Sequence, residues 1–197
     1  LPSESPLLQA PRVALCCAGL DTFATLWLND DADTLAQSDN MFVPLEVAVQ
    51  GRLRAGENEL RLLFEAAFPK GQAREAAHGR TAVWNGDASR VYVRKAQYHY
   101  GWDWGPCLLT AGPWLPITLQ GYAARIVSVA APASLTEDLQ LATLAVRVQL
   151  EGRSEGMDVE LELRERRERL HLREARARRG VDHEAHVRGT ARHRDVE

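Results

Sequence analysis

VRKAQYHYGWDWGP, residues 93–106, is the stretch on which the reading of this chain turns. Three of its five tryptophans, Trp102, Trp104 and Trp114, fall within thirteen residues; the first two bracket Asp103, and Gly105-Pro106 closes the segment. An acid held between two indoles suits sugar recognition. A pyranose presents an apolar C–H face that rests on an indole, while a carboxylate accepts hydrogen bonds from hydroxyls, strengthened by its charge. Such a site takes a neutral polyol and needs no metal. The same residues also suit a structural role, with Trp102 and Trp104 as core or strand-end aromatics and Asp103 as a turn residue. Residue types alone leave both readings open.

Outward from this segment the chain reads mostly as strands. RVALCCAGL (12–20) and ATLWLN (24–29) are short apolar runs, and NDDAD (29–33) is turn chemistry. FVPLEVAV (42–49) follows. A turn at Gly56-Glu57-Asn58 then leads into ELRLLFEAAF (59–68), where Leu60, Leu62 and Phe64 alternate with other residues. PKGQAREAAHGR (69–80) breaks the pattern as a loop or short helix. RVYVRKAQYHY (90–100) is expected to resume as a strand, and ITLQGY (117–122) is another. Further on, Leu144, Val146, Val148 and Leu150 alternate with polar or small residues, as do Val159, Leu161 and Leu163. These predict two half-buried strands joined as a hairpin through EGRSEGMD (151–158). Short strands at this spacing predict a β-sandwich, with a second one opening near residues 123–125.

Composition excludes several function classes. The 197 residues can bury a sizeable core, and a net charge of −3 leaves no overall electrostatic footprint for nucleic acid. No apolar run approaches a membrane span, and no basic region precedes the apolar part of LPSESPLLQAPRVALCCAGL. Neither an anchor nor a signal peptide is expected. Cys16, Cys17 and Cys107 make a poor disulfide framework, no spacing suggests zinc, and there is no Asn-x-Ser/Thr acceptor. These features lean towards an intracellular protein, cytoplasmic or lysosomal/vacuolar.

Residues 93–106, followed by LLTAGPWLPITLQGY (108–122), closely resemble the segment that β-mannosidases of glycoside hydrolase family 2 carry near the end of their N-terminal sugar-binding domain. GLDTFATLWLN (19–29), SDNMFVPLEVAV (38–49) and AGENELRLLF (55–64) resemble earlier blocks of that domain in the same order. WNGDASRVYVRKAQYHYGWDWGP (84–106) is nearest to the fungal intracellular-type branch. The resemblance implies an all-β chain: a jelly-roll (galactose-binding-like) β-sandwich over 1–123, lacking its opening strands, and the start of an immunoglobulin-like β-sandwich over 124–164. It implies an exo-acting, retaining β-mannosidase whose two catalytic glutamates lie in a (β/α)8 barrel that this sequence lacks. No catalytic residue, metal or cofactor is therefore expected here. The implied partners are a β-mannoside oligosaccharide and that barrel, with no nucleic acid and no membrane. Asp103 would hydrogen-bond sugar hydroxyls, Trp102 would wall the pocket, and Trp104 with Gly105 and Pro106 would fix the loop. A non-catalytic carbohydrate-binding module and a sandwich without ligand are the alternatives.

Other residues carry weaker signals. Arg94, Lys95, Gln97 and His99 could extend a polar rim but suit loop support better. Trp27 and Trp84 suit packing, and Cys107 occupies a place for a small buried residue. Asn58-Glu59 mimics the family's Asn-Glu general-acid pair, yet it lies in GENELRL (56–62), a turn entering a strand of the wrong domain, and is rejected. From Arg164 onward the chain holds eleven of its 24 basic residues and four of its six histidines. The readings for 165–197 are a nucleic-acid arm or metal tract, a solvated helix or disordered tail contributing little to folding, and a truncated or out-of-frame terminus. The second is favoured, because arginines interleaved with glutamates largely cancel.

Overall fold

The computed structural model describes residues 1–84, 86–139, 142–153 and 159–160, together with the backbone of 163–164, 169–170 and 182–189. The chain divides into two compact units, Leu1–Gly121 and Tyr122–Glu197.

Unit 1 opens with a single helical turn, α1 (Pro6–Gln9), and then runs through strands β1 (Arg12–Cys17), β2 (Leu20–Asp21), β3 (Phe23–Leu28), β4 (Ala36–Ser38), β5 (Leu45–Ala48) and β6 (Leu60–Glu65). Helix α2 (Ala67–His78), β7 (Gly112–Pro113) and β8 (Ile117–Tyr122) complete it. Alternation explains the pairing. Val13, Leu15 and Cys17 of β1 share one buried cluster with Ala24, Leu26 and Leu28 of β3, so the sheet β5-β1-β8 and the sheet β4-β3-β6 enclose a common core. On β6, Leu60, Leu62 and Phe64 turn inward while Arg61, Leu63 and Glu65 are exposed, which fixes the register Leu26↔Leu62.

The opposite face of β3 is covered as well. Phe23 joins Val93 and Tyr100 in a second cluster, against which Ala67, Phe68 and Leu109 pack. Lys70 and Arg74 of α2 lie over the Phe23 ring, 6.0 and 4.9 Å from its centroid, and are themselves paired with Glu65 and Asp39. The segment at 69–80 is thus mostly helix despite Pro69 and Gly71, because Pro69 falls in the first turn, where no amide hydrogen is needed.

Residues 90–100 depart from the expected strand. They form two 3-10 turns, Ala88–Tyr92 and Gln97–Tyr100, joined by an extended stretch with one bridge, Asn40↔Arg94. The buried positions Val93, Lys95, Ala96 and Tyr100 do not follow a period of two. Local bonds replace a ladder: Val93 N–H donates to Arg90 C=O at 3.2 Å and His99 N–H to Ala96 C=O at 3.1 Å. Asp87 caps the first turn by accepting from the Ser89 amide; the Ser89 side chain first, and then this amide, hold the carboxyl below its ordinary pKa.

Unit 2 contains β9 (Ala124–Ala130), β10 (Ala133–Leu135), β11 (Ala142–Gly152), β12 (Leu163–Arg164), β13 (Arg169–Leu170) and β14 (Asp182–Gly189). Val146 and Val148 of β11 are buried against Leu144, Leu150 and Val159, as their alternation implies. The partner differs from expectation. Among the described residues β11 makes no hairpin with 159–163; it takes β9 and β10 on its flank and pairs with β14 from Ala142↔Gly189 to Gln149↔Asp182. Part of the segment expected to be a solvated helix or disordered tail is therefore strand, because the long β11 leaves a row of backbone donors and acceptors that need partners. Residues 161–162, 165–168, 171–181 and 190–197 lie outside the described residues.

The main core yields a contrast to test. Leu26 is fully buried, whereas Leu63 on the neighbouring strand is 53% exposed. Leu26→Ala is expected to lower the unfolding free energy by about 2–5 kcal/mol. Leu63→Ala is expected to change it by about 0.5 kcal/mol. Urea denaturation followed by tryptophan fluorescence distinguishes the two.

Candidate carbohydrate-recognition loop

The tryptophan segment is a hairpin whose tip is Asp103-Trp104. Trp102 N–H donates to Gly105 C=O at 3.0 Å and Gly105 N–H returns to Trp102 C=O at 3.2 Å; lower down, Leu108 N–H donates to His99 C=O at 2.9 Å. Gly101 makes the crossing possible. Its φ is +78°, and a Cβ there would sit 2.8 Å from the Gly105 carbonyl oxygen and 2.9 Å from the Cys107 nitrogen. Trp104 is 83% exposed and Trp102 43%, with ring centroids 5.7 Å apart at 54°, so the indoles are not stacked on one another. Tyr98, Trp102, Trp104, Pro106 and Leu108 line a depression of about 770 Å³, to whose lining Arg90, Gln97, His99 and Thr110 also contribute. Asp103 is not part of that lining. It is exposed at the tip, and its side chain has no partner among the described residues.

Beneath the hairpin lies a charged cluster with almost no access to water. Lys95, with a fully buried side chain, pairs with Asp21, whose side chain is 4% exposed. Its Nζ also donates to the Thr110 carbonyl at 2.7 Å, while Thr110 Oγ1 donates to Asp21 Oδ2 at 3.3 Å and Thr22 Oγ1 to Asp21 Oδ1. His99 Nδ1 sits 3.7 Å from Asp21 Oδ2, buried and without a hydrogen bond. Burial, then the neighbouring Lys95 charge, pushes the His99 pKa down, against a smaller upward pull from Asp21. Burial similarly raises Tyr100 to about 12.

The expected site residues thus separate. Trp102 and Trp104 line the depression, and Asp103 stands outside it. Lys95 supports the loop from below, and Gln97 ties its foot by donating to the Arg90 carbonyl at 3.1 Å; Arg94 is exposed. Trp27 packs beneath the Arg61 guanidinium at 4.7 Å. Trp84 does not pack: it is 93% exposed, on the loop between α2 and the first 3-10 turn. Cys107 is exposed rather than buried, since it lies on the hairpin's exit leg above the cluster. Asn58 is structural, accepting from the Arg54 amide at 3.0 Å and from Asn29 Nδ2 at 3.2 Å, which agrees with its rejection as a catalytic partner. Sequence reasoning missed Asp21 and Thr110. A signal for Asp21 existed, because an acid inside an otherwise apolar run must find a cation when the run is buried. Among the described residues no group of histidine, cysteine and acids could hold a metal.

Residues 2–115 match the family described as Glycosyl hydrolase 2 galactose-binding domain-like. The chain belongs to this family. The matched residues of this galactose-binding-like domain include the entire tryptophan hairpin and its buried base. Beta-mannosidase B of Thermothelomyces thermophilus is 41% identical over 160 residues, covering 80% of this chain and 18% of that protein. Beta-mannosidase B of Aspergillus fumigatus is 39% identical over 147 residues, covering 73% and 17%. The crystal structure of beta-D-mannosidase from Dictyoglomus thermophilum matches with a TM-score of 0.67 at 31% identity, covering 77% of this chain and 18% of that one. The matched part of the chain thus spans less than a fifth of the length of these curated relatives.

The lowered His99 pKa carries a pH consequence. Between the folded value and the unfolded value of about 6.5, the unfolded chain binds more protons, so stability falls as pH drops through this window. His99→Gln is expected to flatten that dependence. Urea midpoints of both proteins at about pH 7 and about pH 5.5 check it.

Proposed function

We propose that this chain is the N-terminal, substrate-positioning part of an exo-acting β-mannosidase that releases terminal non-reducing β-D-mannose from oligosaccharides. The observation that carries the reading is the Asp103 carboxylate, exposed at the tip of a tryptophan hairpin with no partner among the described residues, on a domain whose curated relatives are beta-mannosidases. A charged acceptor left unpaired on its own domain suits a ligand or surface brought from elsewhere. Retaining hydrolysis needs two carboxyls about 5–5.5 Å apart, one as nucleophile and one as acid/base. In this proposal a barrel outside the present sequence supplies them. The hairpin contributes orientation: Asp103 accepts hydrogen bonds from sugar hydroxyls while the indoles bound the site and exclude water. A non-catalytic carbohydrate-binding module is the second reading, favoured by the aromatic depression beside the tip, which is large enough for a sugar ring.

Two expectations follow. The 197-residue chain alone does not hydrolyse an aryl β-mannoside; turnover lost on changing one of its own carboxylates would overturn the reading. In the longer enzyme, Asp103→Ala removes a charged partner from a partly desolvated site, a loss on the order of 2–4 kcal/mol. That equals roughly 30- to 1000-fold in kcat/KM. Asp103→Asn recovers part of it. Steady-state kinetics with a circular dichroism check of the fold decides the matter: full activity of both variants sinks the proposal and leaves the binding module.

A further inference from the structure

We propose that Asp21 and Lys95 are positioning residues for the recognition loop, their buried ion pair setting where the hairpin carries Asp103. The functional half of this inference rests on the mannosidase reading above. The structural half rests on how the loop is held.

The hairpin's upper rungs, His99 with Leu108 and Trp102 with Gly105, bind the loop to itself and not to the domain. Its exit leg is anchored by backbone: β2 and β7 pair as Leu20↔Pro113 and Asp21↔Gly112, and Trp114 N–H donates to Gly19 C=O at 3.1 Å. The entry leg is in no sheet. Near Lys95 its backbone reaches the domain through the Asn40↔Arg94 bridge, the Met41 amide on the Arg94 carbonyl at 3.0 Å, and the Ala96 amide, which donates to Met41 Sδ at 3.0 Å. Among the described residues no backbone bond joins the two legs at the base. Lys95 makes that crossing with its side chain, since Nζ reaches Asp21 beside the exit ladder and the Thr110 carbonyl on the exit leg itself.

An enclosed ammonium is a costly way to fill a core, and an apolar pair of similar volume often serves stability as well or better. What it uniquely provides is direction, because an ammonium aimed at two fixed oxygens defines an angle that a methyl group does not. The loop above projects about as a rigid lever, so a small rotation at the base displaces Asp103 at the tip. A misplacement of about 1 Å at a reacting site can cost on the order of 100-fold.

The test is the double variant Lys95→Met with Asp21→Asn, which removes the pair without leaving either charge buried alone. In this chain, hydrogen exchange read by mass spectrometry is expected to show peptides spanning 98–108 exchanging at least about tenfold faster, with β1 and β3 unchanged. In the longer enzyme, the double variant is expected to lose about 10- to 100-fold in kcat/KM, and to add little once Asp103→Ala is present. Unchanged loop exchange overturns the proposal. Uniform acceleration across the strands, or failure to fold, does so too, by making the pair a general core element. Losses that multiply with those of Asp103→Ala would show that the pair does not act through the loop. If Asp103→Ala alone costs nothing, the mannosidase role of the loop fails, while the exchange result still decides whether the pair holds it.

Discussion

Both faces of β3 are covered: Ala24, Leu26 and Leu28 join Val13, Leu15 and Cys17 in the main core, and Phe23 packs under Val93, Tyr100 and α2. A strand without a solvent face needs two independent coverings, and unit 1 is arranged to provide them. The sheet centred on β1 supplies the inner one. The outer one is irregular, made from a helix and from a segment with 3-10 turns at each end, and that segment leads into the tryptophan hairpin. The place of the loop is thus a by-product of shielding β3.

The electrostatics follow the same geometry. Asp21 lies in the two-residue β2, separated from β3 by Thr22 alone, where the two coverings meet and water is excluded. A charge there is tolerated only with a partner, and Lys95 arrives from the irregular covering to provide it. The surface pairs Arg52–Asp31 and Arg54–Asp30 are of another kind, largely exposed and of little energetic weight. Unit 1 therefore concentrates its consequential ionic interaction in one place, under the loop.

How much of this was legible in the sequence depended on the range of the interaction. Short apolar runs revealed β1 and β3, alternation revealed β6, ITLQGY read as the strand β8, and the Trp-Asp-Trp pattern marked the hairpin tip directly. Helix α2 was half-hidden, because Pro69 and Gly71 weaken helical propensity and the payoff is burial of Phe23 from a distant strand. Residues 90–100 misled through their β-branched and aromatic content, which here serves a non-periodic packing. The Asp21–Lys95 pair spans 74 positions, so a local pattern could signal that Asp21 needs a cation but not that Lys95 supplies it. The same limit applies to β14, whose pairing with β11 is fixed by an open edge and not by its own composition.

The three thiols differ in a way that turns the hairpin into something observable without mutation. Cys17 is buried and its pKa is raised, by burial first and then by Cys16, so it holds little reactive thiolate at neutral pH. Cys16 is half-buried beside Glu46, with 3.7 Å between sulfur and carboxylate oxygen. Cys107 is exposed, on the exit leg of the loop itself. A maleimide dye offered to the native protein should couple there first, placing an optical reporter within three residues of Trp104, whose indole is a natural quencher of many dyes. Any rearrangement of the hairpin would then be read as light, in a chain of otherwise unaltered sequence.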